Sequence, residues 1–190
     1  MEAYILAGGK STRMGEDKGL KKLNGIPIIQ YSIEVLSQCF PSVKINTDKE
    51  EYKQFGLELV PDKIKNKGPL GGIHAALDHS KKDVFVVSCD MPFITSEAIN
   101  YLVDNLSTNL ATIASYNGRI QPLFGIYTYD ALQFIEDKLA DNQLKLTEFI
   151  IESESKVMDL TEIIEKDIFS NINTQEEFKK IEKILKQYEY

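Results

Sequence analysis

Val84-Phe85-Val86-Val87-Ser88-Cys89-Asp90 is the stretch on which the reading of this chain turns. Four consecutive apolar residues, three of them β-branched, are what a strand buried on both faces of a parallel sheet requires. The run stops at a serine and a carboxylate, so the strand ends where polar chemistry begins. Working back toward the N-terminus, shorter runs at Leu57–Val60, Val43–Ile45 and Ala3–Leu6 read as further strands. They alternate with amphipathic stretches: Ile28–Leu36, which follows Pro27, and Ile73–Leu77, which follows a Gly68-Pro69-Leu70-Gly71-Gly72 loop. Toward the C-terminus, Thr95 or Ser96 caps a helix through 101–106. Strands at Leu110–Ala114 and Leu123–Tyr127 flank an Asn117-Gly118 turn. Helical patterns at about 130–139 and 145–151 and a short strand at Val157–Leu160 come next. A capping box at Thr174-Gln175-Glu176-Glu177 opens a final helix. Strands alternating with helices predict a three-layer α/β fold with a mostly parallel central sheet. In such sheets ligands bind beyond the carboxyl ends of the strands. The polar residues there, Gly8, Gly9, Asn46, Asp62 and Asp90, are therefore expected to meet in one crevice.

Composition narrows the function. The 190 residues fit a single domain, with 43% hydrophobic and 27% charged side chains. No apolar run approaches the ~20 residues of a membrane span, and MEAYILAGGK lacks the basic region of a signal peptide. The expected compartment is the cytoplasm. Cys39 and Cys89 are far apart and form neither a zinc pattern nor a disulfide framework. The net charge of −7 argues against nucleic acid as a partner. Its distribution is uneven. Residues 1–129 carry 14 acids and 14 bases, whereas 130–190 carry 15 and 8. Within the balanced part, Lys10, Arg13, Lys18, Lys21 and Lys22 cluster against Glu16 and Asp17, which suits a small anionic ligand.

Individual residues carry the chemistry. Gly8 and Gly9, following a strand, let backbone N–H groups approach phosphate oxygens with no Cβ in the way. The segment is neither a Walker A loop, since Tyr4 stands where the first glycine belongs, nor a GxGxxG. Arg13 as a fork and Lys18 as a point charge are the bases expected on phosphate oxygens. Asp90 at the end of a buried strand can hold Mg²⁺, a hard ion that prefers oxygen ligands; a turn or N-cap aspartate is the alternative. Asp62 and Asn46 can read a base or ribose, or simply make turns. Gly68, opening GPLGG, is a second close-approach position beside a helix N-terminus. His74 and His79 lack metal-ligand spacing and read as structural or solvated.

Taken in order, Leu6-Ala7-Gly8-Gly9, Ser11, Arg13-Met14-Gly15 and Asp17-Lys18 resemble the LAGGxSxRMGxDK motif of MobA-type molybdenum cofactor guanylyltransferases. The resemblance continues through Gly25, Pro27, Asn46, Asp62, GPLGG at 68–72, CDMPF at 89–93, QPLFGIY at 121–127 and NINT at 171–174. It implies a Rossmann-like nucleotidyltransferase fold, with a nucleotide-binding half at 1–115 and an acceptor-binding half at 116–190. It further implies transfer of GMP from GTP to the phosphate of Mo-molybdopterin. Carried over residue by residue, Asp90 is the metal carboxylate, Lys18 the phosphate lysine, and Leu6, Ala7 and Gly8 the nucleotide loop. Asn46 and Asp62 fall at the remaining guanosine positions, and Asn173 completes the Mg²⁺ site by analogy. Cofactor-handling proteins and apo-molybdoenzymes are the further partners it suggests; a solvated acidic surface is the simpler account of the C-terminal third. The family often has Ala at 71 or 72, which is expected to be tolerated, and His-Pro-Leu where this chain has Gln121-Pro122-Leu123. A cytidylyltransferase or another transferase of the same fold is the nearest rival reading; Gly8 and Asp17 favour guanine. A non-catalytic nucleotide-binding module fits less well with Arg13, Lys18 and Asp90 together. No GxSxG supports an α/β hydrolase.

Overall fold

Alternating side chains sort the strands into one sheet with two apolar faces. The computed structural model describes residues 1–8 and 17–169. The elements run β1 (Glu2–Leu6), β2 (Lys22–Leu23), β3 (Ile26–Pro27), α1 (Ile28–Cys39), β4 (Val43–Asn46) and, after a 3₁₀ turn at Glu50–Phe55, β5 (Glu58–Val60). Next come α2 (Gly68–Ser80), β6 (Val84–Ser88), α3 (Ser96–Asp104), β7 (Ala111–Tyr116), β8 (Arg119–Tyr127), α4 (Ala131–Ala140), α5 (Leu146–Glu152) and β9 (Lys156–Asp159). Among the described residues seven strands form a sheet ordered β5-β4-β1-β6-β8-β7-β9, in which β8 alone runs antiparallel to its neighbours.

Period-two alternation explains the three layers. Ala3, Ile5, Phe85 and Val87 point to the face that carries Ile29, Ile33 and Leu36 of α1 and Ala98, Ile99 and Leu102 of α3. Tyr4, Leu6, Val84 and Val86 point to the other face, against Leu70, Ile73 and Leu77 of α2, Ile135 of α4 and Phe149 of α5. As the opening stretch predicts, β6 is the central strand, and Val84 through Val87 are all at 0% exposure. No helix of the described residues is long and apolar enough to cross a membrane.

Connections from β1 lead to β4 and β5 on one side, whereas β6 lies on the other side of β1. The strand order therefore reverses between β1 and β6, which opens a crevice at their carboxyl ends. At that edge Leu6 is in register with both Asn46 and Ser88.

Three differences from the sequence reading have physical causes. The β2–β3 hairpin turns through Asn24 and Gly25, both at positive φ, and its two-residue strands are too short to show a period. The 3₁₀ turn buries Tyr52 alone, so it leaves no apolar repeat. Helix α2 begins at Gly68 rather than at Ile73, making GPLGG its first turn. Glycine is a poor helix former, but Pro69 supplies the right φ and Leu70 is fully buried against the sheet. Elsewhere the expected elements shift by a few residues. The Asn117-Gly118 turn joins β7 to β8 as expected, and Thr95 is the α3 cap, its Oγ1 accepting from the Ala98 N–H at 3.3 Å. The final helix, Asn171 and Asn173 lie outside the described residues.

Candidate active site at the sheet switch point

Past the end of β1 the ladder continues for one more residue on each side. The Cys89 N–H donates to Leu6 O at 3.2 Å, and the Ala7 N–H donates to Asn46 O at 3.0 Å. Ala7 and Gly8 are thereby delivered to the mouth of a crevice of about 630 Å³. Leu6, Lys18, Asn46, Asp62, Gly68 and Asp90 line it as well, so the expected convergence holds for the described residues. Gly8 is exposed, and a Cβ there would meet nothing within 4 Å, so its backbone is open to a ligand rather than needed for packing. Gly9 and Arg13 lie outside the described residues.

Asp90 leaves β6 and is 8% exposed. Its Oδ1 accepts from Ser88 Oγ at 2.6 Å, and its Oδ2 lies 3.3 Å from Lys18 Nζ. A buried carboxylate is acceptable when paired and hydrogen-bonded in this way. Because Thr95 caps α3, Asp90 is not that helix's cap. No group of three His, Cys, Asp or Glu side chains among the described residues is arranged to hold a metal. A lone carboxylate still suits Mg²⁺, which takes one or two protein carboxylates and completes its shell with water and substrate phosphates. The donor set is compatible with such an ion, and Asp90 is the residue that could hold it.

The other wall is built around Asn46, which is 2% exposed. Its Nδ2 donates to Val60 O at 2.9 Å and to Asp62 Oδ1 at 2.9 Å, which places Asn46 behind Asp62 and fixes that carboxylate. Gly72 explains why the amide can lie there: a Cβ at 72 would fall 2.5 Å from Asn46 Oδ1 and 3.2 Å from Leu6. Gly71 is less confined, with Lys67 Cβ at 3.0 Å from the corresponding point. Tolerance of alanine therefore does not extend to position 72, because the Asn46 side chain is pinned by two hydrogen bonds and cannot swing away.

Asp17 sits beside Lys18. Its carboxylate accepts from the Tyr52 hydroxyl, pairs with the Lys49 ammonium and accepts from the Gly19 N–H at 3.1 Å. Burial, then the neighbouring Cys89 and Asp17, pushes the Tyr52 phenol well above its ordinary range, so it stays a donor. Burial, then Asp90 and Asp17, likewise raises the Cys89 thiol, which makes it inert rather than nucleophilic. The histidines are structural: His74 lies 3.3 Å from Glu136, and His79 bridges Tyr4 and Glu58.

Sequence reasoning missed Ser88, Lys49, Tyr52 and the distinct role of Gly72. Ser88 stands two residues before Asp90, within reach of a local signal. The others depend on contacts 26 to 35 residues away and left no local signal.

A polar crevice at the switch point of a mostly parallel sheet, with glycines, a lysine and a buried aspartate around it, is where such a fold binds a ligand, and the family the chain matches makes the protein an enzyme of the nucleotidyltransferase class. Residues 3–157 match the model of the MobA-like NTP transferase domain, and the chain belongs to that family. It is 38% identical over 184 residues to a Clostridium perfringens protein named "Probable molybdenum cofactor guanylyltransferase", covering 93% of each chain. A Flavobacterium johnsoniae protein of the same name is 31% identical, over 93% of this chain and 94% of its own. The crystal structure of molybdopterin-guanine dinucleotide biosynthesis protein A from Archaeoglobus fulgidus superimposes with a TM-score of 0.84 at 25% identity, covering 98% and 100% of the two chains.

Proposed function

We propose that the protein transfers GMP from GTP to the phosphate of Mo-molybdopterin in the cytoplasm, forming molybdopterin guanine dinucleotide and releasing pyrophosphate. The observation that carries the guanine reading is the Asp62 carboxylate held by Asn46 at 2.9 Å in the wall of the crevice. Guanine offers two adjacent donors, N1–H and the 2-amino group, to a fixed two-oxygen acceptor. Adenine and cytosine each pair one donor with a ring acceptor on that edge, and uracil offers a single N–H, so none of them matches it. The names of the relatives support the same substrate.

The reaction is an in-line displacement. An oxygen of the molybdopterin phosphate forms a bond to the α-phosphorus of GTP while the bond to the β-phosphate oxygen breaks. The electron pair leaves with pyrophosphate. The nucleophile is already ionised, so no protein base is required, in keeping with the inert Cys89 and the structural histidines. Ala7 and Gly8 present backbone close to the triphosphate, Lys18 neutralises its charge, and Arg13 is assigned the same task from its motif position. Asp90, with Asn173 as a second candidate, would hold Mg²⁺, which supplies charge neutralisation on the phosphates when bound. The acceptor is assigned to residues 116–190, which bring Leu123 to the crevice.

Calorimetry with GTP, CTP, UTP and ATP in the presence and absence of Mg²⁺ tests the reading. GTP preference that weakens without the metal supports it. CTP preference moves the protein to cytidylyl transfer, and no binding of any nucleotide removes the enzymatic reading.

A further inference from the structure

Lysine 18 is a flexible side chain asked to hold a fixed place, and the loop that carries it is fastened at several points. The Ile29 N–H donates to Gly19 O at 3.1 Å, and the Ile28 N–H donates to Lys21 O at 2.8 Å, tying the segment to the start of α1. On the other side, Lys49 follows the end of β4 and Tyr52 rises from the 3₁₀ turn, and both converge on the Asp17 carboxylate. Tyr52 is fully buried, so its hydroxyl approaches from a rigid base. A Cβ at position 19 would lie 2.5 Å from that hydroxyl, so glycine at 19 is what lets the phenol reach in. The Asp17 carboxylate therefore belongs to the segment at 46–55, while the next residue reaches Asp90 on β6.

We propose that Asp17 is a positioning residue: gripped by Tyr52, Lys49 and the Gly19 amide, it latches the peptide that presents Lys18 to Asp90 and the phosphates. Misplacement of a charge by about 1 Å is enough to cost on the order of a hundredfold in such sites. The latch deepens the transferase reading and rests on it for the use of Lys18.

The test is a thermodynamic cycle on GTP binding with Mg²⁺. Tyr52→Phe removes one grip and keeps the ring in the core. It is expected to weaken GTP binding about 5- to 10-fold in the native background and less than about 2-fold in Lys18→Ala, because coupled residues are non-additive. Asp17→Asn should repeat the pattern. Gln54→Ala, which loses a 2.8 Å bond to Glu51 O in the same 3₁₀ turn but outside the latch, should leave affinity unchanged. Equal weakening by Tyr52→Phe in both backgrounds would overturn the proposal. If the wild type bound no nucleotide, the transferase reading would fall and hydrogen exchange at the Gly19 amide would judge the latch. Faster exchange in Tyr52→Phe would uphold it, and unchanged exchange would overturn it.

Discussion

The Lys18 ammonium lies 3.3 Å from the Asp90 carboxylate, across 72 positions of sequence. The two groups come from the segments that follow β1 and β6, on either side of the switch point. Each compensates the other's charge in the wall of the crevice. Lys18→Ala and Asp90→Asn are each expected to lower guanylyl transfer by about a hundredfold or more, the usual scale for removing a preorganised charge stabiliser. Transfer rates beside thermal melts check this: a loss of rate with Tm kept within a few degrees is the expected pattern.

Position 72 separates from position 71. Gly72→Ala must move the pinned Asn46 amide or Leu6, at a cost of about 1–3 kcal/mol, the range for overpacking. It should also release Asp62 and weaken GTP binding about tenfold or more. Gly71→Ala should cost less in both respects. Parallel denaturant unfolding and calorimetry on the two variants decide the matter.

Gly125 of β8 sits opposite Ile113 of β7, where the register between the two strands shifts. A Cβ there would meet Thr112 O at 2.7 Å and Ile113 Cδ1 at 2.6 Å, and the first of these is backbone. Gly125→Ala should therefore destabilise the protein by about 3 kcal/mol or more, with the loss seen in urea midpoints.

Acid stability should report Asp78. Hydrogen bonds from Lys63 and then Lys81 hold its carboxyl down at about 2, below the ordinary 3.8. The folded state therefore binds fewer protons than the unfolded state between those values. Its contribution is full above pH about 4 and is lost as pH falls toward about 2. Both lysines are largely exposed, so the effect is on the order of 1 kcal/mol. Asp78→Asn should lower stability at pH 7 and flatten the decline between pH 4 and 2.

Sequence and structure agree where the signal is local. Val84–Val87 stated its own burial, and Asp90 followed from it. Gly8, Asn46 and Asp62 were legible because polar residues end parallel strands at the ligand edge. What stayed hidden depends on distance. Nothing near Tyr52 shows that its hydroxyl meets Asp17, 35 residues back. Asn46 lines the crevice, but nothing near it in sequence shows that its Nδ2 donates to Val60 and Asp62, a geometry fixed only when β5 pairs with β4. The bulge in β8 is similar. Pairing with β7 jumps from Gly125 opposite Ile113 to Gln121 opposite Ala114, and Leu123, within that jump, lines the crevice.

The most direct measurement is transfer itself: purified protein with Mo-molybdopterin, Mg²⁺ and either GTP or CTP, scoring pyrophosphate and dinucleotide together. The account predicts one pyrophosphate per molybdopterin guanine dinucleotide, with GTP strongly preferred and the product lost in Asp90→Asn. Dinucleotide formed from CTP instead, or no transfer from any nucleotide, would contradict it.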